Sequence, residues 1–184
     1  MSAVTPRIAP LQPPYPPDIQ EQFDRVMRGA QPLMLFRVIA GHARAWEKFR
    51  AGSLLDRGPL SLREREIVID RTCALNKCEY EWGVHVAIFA APAGLDAAEV
   101  RATVLGDADA PCWSKAEQAL IAAVDALHHR ATWTEAEFAA LKAHYDEDKI
   151  LEIMLLCGFY RTVSYLANGL ALPLEANAAR LPKS

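Results

Sequence analysis

The pairs Ser61/Glu64, Asp96/Glu99, Ser114/Glu117 and Thr134/Glu137 each set a Ser, Thr or Asp three residues before a Glu at the opening of an apolar-periodic run. At that spacing the first side chain accepts from the backbone N–H of the glutamate. The glutamate reaches back to the N–H of the first residue, so two orphan donors at a helix start are satisfied. A chain that repeats this device is committed to helices. Gly and Pro fall mainly between the runs, as at Gly58-Pro59, Pro92 to Gly94 and Gly106 to Pro111. No alternating strand pattern bounded by turn residues is found. The pattern predicts helices near 18–28, 33–41, 43–56, 62–76, 78–91, 97–104, 114–129, 135–145 and 148–169. The expected fold class is all-α.

Three regions are expected. Residues 1–17 hold six of the twelve prolines and should form an extended, polyproline-like arm that could lie across a neighbouring surface. Residues 18–176 form a single helical domain, and 177–184 a tail. At 184 residues with 52% apolar content, the chain is long enough for a substantial core. The most apolar helix, 148–169, carries Ile150, Leu151, Ile153, Met154, Leu155, Leu156, Phe159, Val163, Tyr165 and Leu166. A helix apolar on nearly all sides is expected to be buried on nearly all sides. That points to subunit contacts in a homo-oligomer; the alternative is a central helix of a monomeric bundle.

Chemistry concentrates between Glu66 and His85 (EIVIDRTCALNKCEYEWGVH). On a helix opening at about Cys78, residues Cys78, Glu81 and His85 stand at i, i+3 and i+7, one above another. Asn76-Lys77 is the expected break before it, with Asn76 tolerating the left-handed conformation that ends helices. If the two helices fold back there, Glu66 lies about ten residues before the turn and His85 about nine after it. At ~1.5 Å rise per residue the axial mismatch is roughly 3 Å, within side-chain reach.

Each residue has an ordinary reading beside the functional one. His85 could be a satisfied interior histidine; between Glu66 and Glu81 it becomes a candidate general acid/base, since its ordinary pKa suits proton transfer near neutrality. Glu66 could be a solvated charge, and Glu81 could pair with Lys77. Cys78 could be an inert thiol, or a thiolate favoured by a helix N-terminus. Tyr80 and Trp82 flank the motif as pocket candidates. Cys112 and Cys157 read as space-filling, and His128-His129-Arg130 as positive charge closing a helix. A metal set of Glu66, Glu81 and His85 lacks a second clustered histidine, so neither a metal nor another cofactor is expected.

The stretch resembles the alkyl hydroperoxidase D-like, carboxymuconolactone decarboxylase family, over about residues 30 to 175. Gly94-Leu95-Asp96 and the run from Gly158-Phe159-Tyr160 to Asn168 share the likeness. The family's peroxidase branch carries Glu, eleven residues, Cys-x-x-Cys, three residues, His; here Glu66, Cys78 and His85 match, and Glu81 stands where the second cysteine would be. The decarboxylase branch retains Glu-x-x-x-His, which Glu81 and His85 match. The resemblance implies a helical bundle assembled as trimers or hexamers. It also implies catalytic roles for Glu66, Cys78, Glu81 and His85.

Glutamate cannot resolve a sulfenic acid, so the usual Cys-x-x-Cys disulfide cannot form. Cys73 is a candidate substitute partner for Cys78, provided the two Cα atoms lie within about 7 Å. The leading expectation is cofactor-independent acid/base chemistry, decarboxylation or proton transfer, on a small lactone, carbonyl or carboxylate compound. The alternative is an antioxidant thiol peroxidase using Cys78 and an external reductant. A third reading is a non-catalytic binding protein on the same scaffold. A net charge of −3 without a basic cluster argues against nucleic acid. No uninterrupted apolar run nears ~18 residues, so no membrane span is expected. With no leader visible and only four scattered cysteines, a cytoplasmic location is expected.

Overall fold

The computed structural model describes residues 5–183. Among them are nine helices: α1 (Pro17–Met27), α2 (Met34–Ile39), α3 (Ala43–Ala51), α4 (Leu62–Leu75), α5 (Glu79–Phe89), α6 (Ala97–Leu105), α7 (Lys115–Arg130), α8 (Glu135–Lys142) and α9 (Glu147–Gly169). No strand occurs among the described residues.

All four capping boxes form, opening α4, α6, α7 and α8. Each box glutamate is also held by a cation from elsewhere in the fold. Lys149 of α9 reaches Glu64 at 3.0 Å, and Arg130 of α7 binds Glu137 at 2.7 Å. Arg63 of α4 bridges Glu99 of α6 and Glu117 of α7. The local start signals therefore also join helices to one another.

Helix ends reuse one device as well. At the end of α4 the N–H of Cys78 donates to the Cys73 carbonyl at 2.9 Å, and that of Lys77 to Ala74 at 2.9 Å, with Lys77 at φ 53°. This is a Schellman turn. The left-handed residue is Lys77 rather than Asn76, which keeps φ −84° and donates its side-chain amide to the Thr72 carbonyl. The same paired bonds close α5 at Gly94 and α9 at Ala171. Elsewhere, α3 stops at Ala51 rather than near 56, because Gly52 caps it against the Phe159 ring; a Cβ on Gly52 would meet that ring at 3.0 Å.

The helix at the centre is α4, not α9. It packs against α5, α6, α7 and α9, and Glu66 to Cys73 are buried without a break. α9 covers α4 with Ile153, Leu156, Tyr160 and Val163, but Leu151, Met154, Leu155 and Tyr165 remain exposed. The expectation that α9 is buried all round fails for the single chain: its apolar residues exceed what one face against α4 can cover. By length and composition α9 is also the one helix among the described residues that could cross a membrane.

The N-terminal arm lies on its own chain. Arg7 N–H donates to the Leu170 carbonyl and Leu11 N–H to the Arg37 carbonyl; residues 1–4 fall outside the described part. The tail also docks. Ala179 N–H donates to the Gly83 carbonyl at 2.9 Å, and Glu175 accepts from Met34 N–H and the Tyr80 hydroxyl.

Candidate functional site

Three helices each contribute polar residues at helical spacing to one interior seam. α4 supplies Glu66, Asp70 and Cys73 at i, i+4 and i+7. α5 supplies Glu81 and His85, with Cys78 as its N-cap residue, and α9 supplies Tyr160 and Ser164. The Schellman turn at Lys77 folds α5 back along α4, and the four predicted residues converge. His85 Nδ1 meets Glu66 Oε2 at 2.7 Å, and His85 Nε2 lies 3.5 Å from Glu81 Oε1. The Arg65 guanidinium approaches the other Glu66 oxygen at 3.1 Å. The Tyr160 ring stands edge-on to His85, centroids 5.0 Å apart.

The cluster is closed to solvent in the single chain: Glu66 is 0%, Cys78 0%, His85 3% and Glu81 7% exposed. A small molecule can reach it only if a segment moves. The cavity of about 230 Å³ between α4, α7 and α9 is lined by Thr72, Leu127, His128, Met154 and Arg161, on a neighbouring face of α4.

Charge in this interior is set by competition between burial and partners. Burial alone would lower the His85 pKa, but its bonds to Glu66 and Glu81 outweigh burial and raise it to about 10. At neutral pH the ring is therefore imidazolium. Both nitrogens face carboxylates, which leaves no free lone pair for a metal. Asp70 lies close by with both oxygens buried and unpartnered, and burial holds its carboxyl well above the usual range. Burial thus favours its protonated, neutral form at the centre of the fold. The second Glu81 oxygen is also buried without a partner.

At Cys78 the two readings compete. Backbone N–H groups of Tyr80 and Glu81 do favour a Cys78 thiolate, but burial, the larger effect, pushes the thiol up. The helix N-terminus thus does not yield a resting thiolate. Cys73 is raised further, by burial and then by Glu81. Both thiols are free, and both lie beside the Ser164 hydroxyl.

Tyr80 and Trp82 have other partners. The Tyr80 hydroxyl accepts from Leu35 N–H at 3.1 Å and contacts Glu175, tying α5 to α2 and the tail. Trp82 Nε1 donates to Thr103 Oγ1 at 3.0 Å, tying α5 to α6. Their polar atoms join helices and are not directed at His85. Asp70 was missed by the sequence reading. Its signal is the Glu66-x-x-x-Asp70 spacing, which puts a second carboxyl on the Glu66 face of a helix otherwise apolar there.

The model of the carboxymuconolactone decarboxylase family matches residues 40–125, a stretch that holds every site residue on α4 and α5. Over that stretch the chain is similar to the carboxymuconolactone decarboxylase family. Solved structures extend the likeness in fold to nearly the whole chain. An uncharacterized peroxidase-related protein from Silicibacter sp. TM1040 is 21% identical, with TM-score 0.79 over 91% of this chain and 90% of that one. An uncharacterized peroxidase-related protein with an alkylhydroperoxidase AhpD core, from Ralstonia eutropha JMP134, is 18% identical, with TM-score 0.78 over 93% of each chain. The debrominase Bmp8 in complex with 2,3,4-tribromopyrrole is 14% identical, with TM-score 0.77 over 96% of this chain and 95% of that one. No match was found among curated protein sequences.

Proposed function

We propose that this chain is a cofactor-independent acid/base catalyst acting on a small lactone, carbonyl or carboxylate compound, by decarboxylation or proton transfer. The observation that carries the reading is the Glu66–His85–Glu81 ladder with one buried Glu81 oxygen left unpartnered. That oxygen is the base, taking a proton from a carbon beside an electron-withdrawing group. Cationic His85 is the acid, or the charge that steadies an enolate, held protonated by Glu66. Neutral Asp70 can donate a hydrogen bond to a developing oxyanion. Groups of opposite protonation state at one pH are what such chemistry requires. The thiol of Cys78, protonated at rest, lines the site.

The names of the fold neighbours divide between peroxidase-related proteins and a debrominase, so the fold does not select a reaction. One feature favours a second reading, a thiol peroxidase using Cys78 and an external reductant. It is the pair of N–H groups, from Tyr80 and Glu81, facing the sulfur.

The first reading is tested by incubating the protein with a panel of γ-lactones and β-keto acids in D2O and following deuterium uptake beside the carbonyl by NMR. Glu81→Gln and His85→Ala should each slow exchange by about 10²- to 10⁴-fold. Equal rates in all three proteins would overturn it.

A further inference from the structure

We propose that Cys73 and Cys78 form a redox pair, in which Cys78 reacts with a hydroperoxide and Cys73 resolves it as an intramolecular disulfide. This goes beyond the proton-transfer reading and does not depend on it. It gives the peroxide reading the resolving thiol that Glu81 has displaced from its usual position.

The pairing is a consequence of how α4 ends. In a Schellman turn the third residue from the helix end and the second residue beyond the cap are brought into side-chain contact. Here those residues are Cys73 and Cys78. The Cys78 N–H···O Cys73 bond is 2.9 Å, and ordinary bond lengths then limit the two Cα atoms to about 6.8 Å apart or less. Disulfides span Cα separations of ~4.4–6.8 Å. Both side chains are fully buried and both approach the Ser164 hydroxyl, so the sulfurs share one compartment.

A cysteine pair can fill such a turn as two small apolar groups. An apolar turn would not place a carboxylate oxygen without a partner beside the sulfurs. Glu81 lies near enough for its charge to act on both thiols, and one of its oxygens bonds nothing. Glu81 therefore provides the proton acceptor that a buried thiol lacks.

The two sulfurs are not equivalent. Only Cys78 sits at a helix N-terminus with backbone N–H groups from Tyr80 and Glu81 turned toward it, so it is the nucleophile. Cys78 gives its proton to Glu81. Its sulfur then attacks the terminal oxygen of the hydroperoxide, the O–O bond breaks, and the departing alkoxide takes a proton from the Glu81–His85 couple. The products are an alcohol and a Cys78 sulfenic acid. The Cys73 sulfur displaces hydroxide from that sulfenic acid, and the Cys73 proton completes a water molecule. A disulfide remains, and an external dithiol returns it to two thiols while itself becoming a disulfide. Access requires the same opening that any substrate of this interior needs.

The experiment treats the full-length protein with hydrogen peroxide or cumene hydroperoxide. It is then denatured, its thiols are alkylated, and it is mapped by mass spectrometry. Alkylatable thiols should fall from four to two. A linked Cys73–Cys78 species about 2 Da lighter than the dithiol should appear, and dithiothreitol should reverse it. In Cys73→Ala, dimedone should capture a sulfenic acid at Cys78; in Cys78→Ser, Cys73 should stay reduced. Oxidation of wild-type Cys78 with Cys73 still alkylatable would overturn the pair while leaving the peroxide reading standing. Four alkylatable thiols after treatment would overturn both. Both overturning results are read in the wild-type chain, so a variant that fails to fold does not obscure the answer. None depends on turnover of a carbonyl compound.

Discussion

Glu66→Gln is the sharpest test of the electrostatics proposed for the site, because the structure fixes both the sign and the pH window. His85 has its pKa raised from 6.5 to about 10 in the folded chain. A group raised in this way adds stability that is complete below the unfolded value and is lost as pH rises through the folded one. Integrated between those values, the contribution at pH 7 is about 4 kcal/mol, and about 2 to 3 kcal/mol of it disappears by pH 9. Thiols of the unfolded chain ionise within that window, and with all four cysteines raised in the folded chain they add a slope of the same sign, so only the difference between two proteins isolates His85. The raised Asp70 carboxyl adds a slope of the same sign. The comparison is therefore best made in an Asp70→Asn background. Glu66→Gln removes the carboxylate at 2.7 Å and leaves Glu81 at 3.5 Å, so most of the shift should go. Urea unfolding at pH 7 and pH 9 should show the reference losing about 2 kcal/mol more than the Gln variant. His85 itself, followed by NMR through its ring proton, should titrate well below 10, back toward its ordinary value. Equal losses in the two proteins, with an unmoved His85 titration, would refute the ladder as the source of the charge.

Three other outcomes follow from the same geometry. Asp70→Asn should stabilise the fold, and its advantage should grow above pH 3.8 by up to about 1.4 kcal/mol per unit, since the wild-type carboxyl must stay protonated inside while the unfolded one ionises; parallel urea midpoints across pH 4 to 8 would contradict this. Gly83→Ala should destabilise by about 1 to 3 kcal/mol despite the better helix propensity of alanine, because the new Cβ would stand 2.3 Å from the Ala179 carbonyl oxygen. The tail should then exchange amide protons faster at Ala179, and a more stable variant would show that the tail is not docked there. On α9, the exposed Leu151, Met154, Leu155 and Tyr165 are the surface on which the expected homo-oligomer would assemble. Light scattering should read several chain masses for the wild type and fewer for Leu155→Glu.

What could be read from the sequence depended on how far apart the interacting atoms are along the chain. The four capping boxes are bonds across three residues, and all four form as expected. The Glu66–His85 contact spans nineteen residues, but it passes through one tight turn, and helical rise alone put the two in register. Burial could not be read in this way. Hydropathy gave the helix from 148 to 169 as buried on nearly all sides, whereas the unbroken burial falls on α4, with Glu66, Asp70 and Arg71 on it. Arg71 is accommodated there only by distant partners: Asp125, and the carbonyls of Thr103 and Gly106. No local pattern shows that such partners exist. The state of the Cys78 thiol stayed open for a related reason, since the helix terminus is visible in sequence and the opposing desolvation is not.

The charge count in the seam bears on why it is there. Glu66, Asp70 and Glu81 surround a single imidazole, and Arg65 touches only Glu66. With every carboxyl ionised the interior would carry a net negative charge that nothing within contact offsets, so protons on His85 and Asp70 are what make folding compatible with burial. Packed apolar residues in the same positions would, as a rule, be at least as stable. A fold that needed only a core would gain nothing from three carboxyls and two thiols around one histidine. The partly unsatisfied oxygens of Asp70 and Glu81 are a cost to stability, and costs of that kind concentrate where chemistry is done. The stability gain expected for Asp70→Asn and the exchange loss expected for Glu81→Gln are thus two sides of one argument. If removing these carboxyls changed neither stability nor proton transfer, the seam would be reduced to an accident of packing.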